Sequence, residues 1–291
     1  MPKQRIRHRR LGRANVIEYD PSLRSLLHPE TRDTVFRKGQ EYLIPQIGVE
    51  MARLAYYAFD DDQIPRLRAA VDAAGFGDLT TFSAGLDTQA FAARRADGLA
   101  VAAFRGTQPG SVFDIGVDAF AGLVSWEGKG RVHLGFHESF KAVQGDLAGW
   151  ISSTGVAPDK LLFCGHSLGG ALATLAGAVW ERAQVVTIGS PRVGDPDFAA
   201  SVSGPRCRRI FNCCDLVARV PPRAIGYDHV EPSSFITASG ALVPNPGGAG
   251  VDTERHTGRG DYFRLHVGFG NAPTRDLADH APVNYLRAVF P

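Results

Sequence analysis

The stretch Leu161-Leu-Phe-Cys-Gly-His-Ser-Leu-Gly-Gly-Ala-Leu-Ala-Thr-Leu-Ala-Gly177 decides the fold of this 291-residue chain. Its apolar beginning predicts a strand over 161–164, and its amphipathic continuation predicts a helix over about 168–181. The turn between them holds a Gly-x-Ser-x-Gly pattern centred on Ser167. Glycine lets the strand and the helix approach without Cβ clashes, while the serine takes a strained backbone that exposes its Oγ. A bare match to this pattern is common by chance, but the strand–turn–helix context makes Ser167 a candidate nucleophile.

Length and composition are those of an ordinary globular protein. The chain suits one large α/β domain or two small ones and can bury a substantial core. Hydrophobic residues make up 44% and charged residues 21% of the chain, and the net charge is +2. So small a charge predicts no general affinity for nucleic acid. No run approaches ~18 consecutive apolar residues, so no transmembrane segment is expected.

The beginning of the chain and its cysteines bear on where the protein resides. Residues 1–35 are polar and rich in arginine, which predicts a flexible basic arm; weak contact with anionic membranes is the alternative. Because no apolar run follows the first basic residues, we expect a cytoplasmic or leaderless protein. The cysteines show neither metal-ligand spacing nor a secreted-scaffold pattern, and we interpret all four as reduced thiols: Cys164, Cys207, Cys213 and Cys214.

Strand and helix patterns alternate along the middle of the chain. Strands are predicted over 79–82, 89–95, 99–104, 184–189 and 208–213, and helices over 46–59, 65–74, 138–152, 197–201 and 282–289. Residues 226–275 are expected to form short strands and glycine-rich loops. The alternation predicts a parallel sheet core, and residues 36–291 are expected to form a single α/β domain.

In open α/β sheets, functional residues lie at the carboxyl ends of the strands. This rule predicts two partners for Ser167. Asp215 directly follows the second strand after the nucleophile; Asp195 and Asp197 are rivals in a turn-rich segment. His280 precedes the last predicted helix, which can anchor a mobile imidazole. Three other histidines follow Asp215 and remain alternatives for the base: His229, His256 and His266. The histidines before or beside Ser167 are interpreted as structural: His133, His137 and His166.

A serine nucleophile that attacks a carbonyl also needs hydrogen-bond donors for the oxyanion that forms. The backbone N–H of Leu168, directly after the nucleophile, is one candidate. Thr107 ends an earlier strand and offers both an N–H and a hydroxyl. The following segment, 108–130, carries many large apolar residues and is predicted to be either part of the core or a cover over an apolar cleft.

Six segments, in this order along the chain, resemble one known family. They are V-A-A-F-R-G-T at 101–107, V-H-L-G-F at 132–136, G-H-S-L-G-G at 165–170, T-I-G-S-P-R-V-G at 187–194, C-D-L-V-A-R-V-P-P at 214–222 and D-H…Y at 279–285. They resemble the class 3 lipases, the fungal triacylglycerol lipases and their bacterial relatives. The resemblance implies an α/β-hydrolase fold, with a mostly parallel central sheet flanked by helices.

The resemblance also implies roles for single residues. Ser167, Asp215 and His280 would form the catalytic triad, and Thr107 would bind the oxyanion. Asp118 lies where the family tends to carry an aspartate that orients the oxyanion hydroxyl, although the intervening loop is longer here.

The expected function is a serine carboxylic-ester hydrolase, a lipase that cleaves acylglycerols through an acyl-enzyme. A phospholipase A1 or a feruloyl-type esterase is the alternative within this fold, and a non-catalytic lipid-binding module is the remote one. The substrate would be an acyl ester or lipid at a lipid–water interface, with no cofactor and no metal implied. The fungal members are secreted and disulfide-bonded, and this sequence shows neither feature.

Overall fold

A computed structural model of the chain describes residues 17–57, 62–85, 88–106 and 122–290. Within these ranges the strands are β1 (Phe76–Ala84), β2 (Thr88–Arg95), β3 (Ala100–Phe104), β4 (Leu123–Ser125), β5 (Arg131–His133), β6 (Leu161–His166), β7 (Gln184–Ile188), β8 (Cys207–Asn212), β9 (Ser233–Ile236) and β10 (Leu242–Pro244). The helices are α1 (Leu23–Leu27), α2 (Ile44–Leu54), α3 (Gln63–Asp72), α4 (Leu134–Thr154), α5 (Leu168–Val179), α6 (Pro196–Val202), α7 (Gly248–Leu265), α8 (Arg275–Ala278) and α9 (Val283–Val289).

The main sheet has eight strands in the order β1-β2-β3-β6-β7-β8-β9-β10, and β4 and β5 form a separate hairpin. Strands β3, β6, β7, β8 and β9 pair in parallel, while β1, β2 and β10 join the edges in antiparallel pairings. The prediction of a parallel core is therefore confirmed. Because these five strands share a direction, their carboxyl ends meet at one edge of the sheet.

Strand β6 lies at the centre and is buried on both faces. Leu162 and Cys164 pack in a cluster with α2 and α9, whereas Leu161 and Phe163 pack on the other face with α4 and α5. Since side chains alternate along a strand, a strand covered by helices on both faces must be apolar throughout. This is why the run before the nucleophile turn lacks the alternation of a half-exposed strand.

The prediction of short strands and loops over 226–275 is wrong for part of this segment. Strands β9 and β10 are present, but α7 is a helix of 18 residues. Its many glycines and weak apolar periodicity hide it, because each glycine lowers intrinsic helix propensity. Packing compensates for this: Val251 and Tyr262 are buried, and a Cβ at Gly258 would lie 3.1 Å from Cys213 Sγ.

The expected basic arm, 1–35, is corrected in its second half. Within 17–35, Leu26 packs with Ala281 and Val283 against the end of the chain. The Asp20 N–H donates to Asn284 Oδ1, and Asn284 Nδ2 donates back to the Asp20 carbonyl, both at 2.8 Å. Residues 17–35 therefore belong to the folded domain, and residues 1–16 lie outside the described residues.

Two further features concern membranes and thiols. None of the helices in the described part of the chain combines the length and the apolarity needed to cross a bilayer. The four cysteines are free thiols, and all of them are buried.

Candidate active site

The nucleophile turn places Ser167 between β6 and α5 in a strained backbone conformation. Its φ is 57° and its ψ is −127°, a region that non-glycine residues rarely adopt. A Cβ at Gly165 would lie 2.1 Å from the Gly169 carbonyl oxygen, and one at Gly169 would lie 2.1 Å from the Phe104 carbonyl oxygen. Only glycine fits at either position, so the pattern around the serine is a steric requirement of the turn.

The structure brings Ser167, His280 and Asp215 together, although they are far apart in sequence. His280 Nε2 lies 3.1 Å from Ser167 Oγ, and His280 Nδ1 lies 2.9 and 3.0 Å from the two oxygens of Asp215. All three side chains are buried. Because the Asp215 carboxylate can only accept, Nδ1 carries the imidazole proton and Nε2 is left to accept one from Ser167 Oγ.

Further hydrogen-bond donors hold the carboxylate of Asp215. Its Oδ1 accepts from the Val217 N–H at 2.8 Å, and its Oδ2 accepts from the Tyr285 hydroxyl. The Tyr285 oxygen accepts in turn from the Asn212 N–H at 3.1 Å. Burial, and then the charge of Asp215, raises the pKa of Tyr285 well above its usual value, so the phenol keeps its proton and donates.

Close contact at Gly189 makes room for this arrangement. Its φ is 58°, and a Cβ there would lie 2.8 Å from Asp215 Oδ2 and 3.2 Å from His280 Nδ1. A side chain at this position would push the acid and the base apart.

His166, beside the nucleophile, links three parts of the site. Its Nε2 lies 2.7 Å from the carbonyl oxygen of His280, so Nε2 carries the proton and donates. Nδ1 then accepts from the Tyr56 hydroxyl at 2.6 Å. The Tyr56 oxygen also accepts from the Gly106 N–H, at the end of β3. Burial, and then the nearby His280, lowers the pKa of His166 well below its usual value, so the imidazole is neutral.

Sequence reasoning interpreted His166 as structural and did not single out Tyr56. Tyr56 precedes His166 by 110 residues, and no local pattern connects the two. Tyr285 was noted only as the last residue of the D-H…Y segment at 279–285, and no role was predicted for it.

One oxyanion candidate is described by the structure. Leu168 is the first residue of α5, and the first N–H groups of a helix have no partner within it, so this N–H is available to a ligand. A Cβ at Gly106 would lie 3.2 Å from Ser167 Cβ, so the end of β3 abuts the nucleophile. Thr107 and Asp118 both lie outside the described residues.

The rival side chains have structural partners elsewhere. Asp195 caps α6, accepting from the Phe198 N–H at 2.9 Å. His229 Nε2 bonds the Ala218 carbonyl at 2.9 Å, and His266 packs against tyrosine rings. His256 is exposed on α7.

Part of the candidate cover belongs to the core. Trp126, after β4, is buried and packs against Phe140 of α4 and Phe198 of α6. The portion at 108–121 lies outside the described residues, so the choice between core and cover stays open there.

One cluster of metal-ligating types lies near the acid: Cys213, Cys214 and Asp279. Its chemistry does not suit a cation. The hydrogen bond to Cys213, together with burial, raises the pKa of the Cys214 thiol, and metals bind thiolates. Asp279 Oδ2 already accepts from the Cys214 N–H at 2.9 Å and from Arg275 Nε at 3.1 Å.

Part of this chain is similar to known proteins. Residues 101–225 match the family model of the class 3 lipases. A lipase of Rhizopus niveus is 34% identical over 126 residues, covering 39% of this chain and 32% of the relative. A chloroplastic phospholipase A(1) of Arabidopsis thaliana is 35% identical over 96 residues, covering 30% of this chain and 22% of the relative. This chain thus spans about a third or less of either relative's length.

A solved structure of Rhizomucor miehei triacylglyceride lipase aligns with a TM-score of 0.55 at 29% identity, over 66% of this chain and 78% of that one. The matched range 101–225 includes the nucleophile turn and the loop that carries Asp215. With this α/β-hydrolase architecture and these matches, the chain belongs to the class 3 lipase family.

Proposed function

We propose that the protein is a serine carboxylic-ester hydrolase that cleaves acylglycerols. One observation carries the proposal: the hydrogen-bonded series Ser167–His280–Asp215 lies on a strained nucleophile turn at the carboxyl edge of the sheet. A buried imidazole between a serine hydroxyl and a carboxylate is the arrangement that activates serine for acyl transfer.

The reaction proceeds in two halves. Ser167 Oγ attacks the ester carbonyl carbon while its proton moves to His280 Nε2, and the Leu168 N–H stabilises the resulting oxyanion. The tetrahedral intermediate expels the alcohol, which takes that proton from His280, and an acyl-enzyme remains. Water then attacks the acyl carbon, giving its proton to His280, and the second intermediate collapses to release the acid as the proton returns to Ser167. Asp215 holds the imidazole tautomer and stabilises the imidazolium throughout.

Lipid as the substrate is supported by the names of the relatives and by an exposed apolar stretch. Four large apolar side chains are exposed in the last turn of α7 and the loop that follows it: Phe263, Leu265, Val267 and Phe269. That loop precedes α8, and α8 leads directly to His280. Soluble proteins rarely leave so many large apolar side chains together in water unless the surface meets an apolar partner. We call 263–269 the apolar stretch and expect it to contact the lipid–water interface.

A phospholipase A1 activity is the second candidate, because the Arabidopsis relative bears that name. Hydrolysis of trioleoylglycerol and of phosphatidylcholine, measured side by side with methyl ferulate as the third ester, separates the two candidates and the feruloyl-type alternative.

The triad is tested by Ser167→Ala. Loss of the nucleophile should lower kcat by on the order of 10⁶ while the fold persists. A fluorophosphonate probe should label the wild-type protein and not the variant. Ser201→Ala is the matched control, since Ser201 Oγ donates to the Phe198 carbonyl within α6, away from the triad. A Ser167→Ala protein that keeps a tenth of the activity contradicts the proposal.

A further inference from the structure

A cavity of about 480 Å³ lies beside the loop that follows Asp215 and is lined by five arginines. They come from separate parts of the fold: Arg192 follows β7, Arg209 lies on β8, Arg219 and Arg223 lie in the loop after Asp215, and Arg255 lies on α7. We call this space the arginine cavity. Nothing in the ester chemistry above uses it.

The charge lining the arginine cavity is unbalanced. Against five guanidinium groups it presents two carboxylates, Glu231 and Asp252, which leaves an excess of three positive charges. Both carboxylates are half or more exposed, and they pair with Arg209 and Arg255 at 3.3 Å. Because solvent reaches both carboxylates, it screens their attraction to the arginines, and an incoming anion can compete with them. His229 also lines the cavity, and its pKa is held well below its usual value by burial and then by the nearby arginines, so it adds no charge.

Two more carboxylates stand just behind the lining. Asp228 pairs with Arg223 at 2.7 Å, and Asp276 lies 3.8 Å from Arg219. These pairs satisfy one side of each guanidinium and hold the two side chains at the cavity wall. Arg223 itself is largely exposed there, so it can meet a ligand from solution.

Arg192 is the least compensated of the five. Its Nη1 donates to the Pro221 carbonyl at 2.8 Å, and within the described residues no carboxylate pairs with it. The Arg192 Nε is buried and has no hydrogen-bond partner among the described residues. Burial, followed by the charges of Arg223 and Arg209, lowers the pKa of Arg192 to about 10. After the larger effect of burial, the proximity of Arg223 and Arg209 adds a positive potential at Arg192.

We propose that the arginine cavity binds a phosphate group. Guanidinium forks match phosphate oxygens two at a time, and several convergent arginines are the usual way proteins hold this group. A phosphate monoester carries about −1.5 to −2 charges at neutral pH, more than a carboxylate, so it can engage several of these guanidinium groups at once. The group can come from a soluble phosphate compound or from a phospholipid headgroup.

Binding of inorganic phosphate to the intact protein is the first test, by calorimetric titration and thermal unfolding at low ionic strength against matched chloride. We expect saturable binding and a rise in Tm, because a ligand of the folded state stabilises it. Arg223→Gln should weaken binding by about tenfold, the usual worth of one charge-assisted contact. Asp252→Asn should tighten it several-fold, since it removes a competing carboxylate.

The opposite signs of these two variants separate a local effect from general damage to the fold. Arg182→Gln is the control, because Arg182 is exposed and lies 3.9 Å from Asp159, outside the cavity. It should bind phosphate like the wild type.

Vesicles identify the source of the phosphate. Ether-linked phosphatidylcholine vesicles, with and without ether-linked phosphatidic acid, present headgroups that an ester hydrolase does not cleave. Binding that needs phosphatidic acid and weakens in Arg223→Gln assigns the cavity to a headgroup. Saturable binding of free phosphate with the same dependence assigns it to a soluble compound. If neither probe distinguishes Arg223→Gln and Asp252→Asn from wild type, the proposal is overturned, while the ester activity stands on its own test.

Discussion

The Tyr285 hydroxyl is a side-chain donor that holds the Asp215 carboxylate in place. Tyr285 donates to Asp215 Oδ2 and accepts from the Asn212 N–H, so it fixes the carboxylate against the end of β8. It touches neither the nucleophile nor the reacting carbonyl, and we regard it as a positioning residue. Its loss should act on the transition state, where the imidazolium needs the carboxylate most.

Tyr285→Phe should therefore lower kcat with little change in KM. A hydrogen bond to a charged group is worth about 1.5–3 kcal/mol, which corresponds to roughly ten- to a hundredfold in rate if it is fully expressed in the transition state. Stability should fall as well, because the Asn212 N–H stays buried without its partner. Steady-state kinetics on a soluble ester and chemical denaturation measure both effects.

Tyr262→Phe is the matched control for that variant. The Tyr262 hydroxyl is also buried and donates to the Ala272 carbonyl at 2.6 Å, away from the triad. It should cost stability and leave kcat unchanged. Equal losses of kcat in the two variants would show that Tyr285 acts only through general stability.

At the scale of elements, the close approach of β6 and α5 is the feature that shapes the turn around Ser167. Gly165 and Gly169 leave no space for a methyl group, because the atoms that a Cβ would meet are backbone atoms. Backbone in a central strand and a buried helix has little freedom to move aside. The approach therefore depends on glycine rather than on small side chains in general.

Gly169→Ala should destabilise the protein by several kcal/mol or prevent folding, since a contact of 2.1 Å to the Phe104 carbonyl cannot relax within the sheet. Gly149→Ala in α4 is the control, because a Cβ there meets no atom within 4 Å. That variant should gain about 0.5–1 kcal/mol, as alanine favours a helix interior. Thermal unfolding of both proteins checks the contrast, and a Gly169→Ala protein of wild-type stability contradicts it.

Across the whole molecule, one chain of hydrogen bonds ties together parts of the fold that are distant in sequence. Gly106 at the end of β3, Tyr56 after α2, His166 at the nucleophile turn and the His280 backbone follow one another. This series of hydrogen bonds requires a neutral His166 imidazole, because its Nδ1 must accept the hydrogen bond from the Tyr56 hydroxyl. Protonation of His166 would break the contact to Tyr56, so stability depends on pH.

The free energy of unfolding should fall as the pH drops below about 6.5. The pKa of His166 is depressed in the folded state, so below the unfolded value the unfolded chain binds a proton that the folded protein does not. Each such group costs about 1.4 kcal/mol per pH unit. His166→Gln should reduce the slope between about pH 5 and 6.5, and His256→Gln on the exposed face of α7 should not. Identical slopes for wild type and His166→Gln would contradict this account.

A second prediction at this scale concerns the apolar stretch, 263–269. Phe269 is fully exposed, so Phe269→Ser should leave thermal stability unchanged. If this surface meets lipid, the variant should lose activity several-fold on an acylglycerol emulsion and none on a soluble short-chain ester. Leu43→Ser is the control, because Leu43 is also exposed but lies outside the stretch, before α2. Equal effects of the two substitutions on emulsion activity would remove the role of the stretch.

Much of the fold could be predicted from the sequence because its decisive signals are local. The run 161–177 holds a buried strand, a glycine-dependent turn and a helix within one short window. The parallel order followed from the alternation of elements, and Asp215 and His280 were singled out because they stand at a strand end and before the last helix. Their catalytic roles stay predictions until the variants are measured.

Tertiary structure alone decided the rest, since the contacts involved join residues far apart in the chain. Helix α7 forms through packing against Cys213 despite its glycines, and residues 17–35 fold because Asn284 and Ala281 meet them. The partnership of Tyr56 with His166 and the convergence of five arginines on one cavity leave no local pattern. Periodicity reports which face of an element is apolar, but it carries no information about which distant polar groups will meet there.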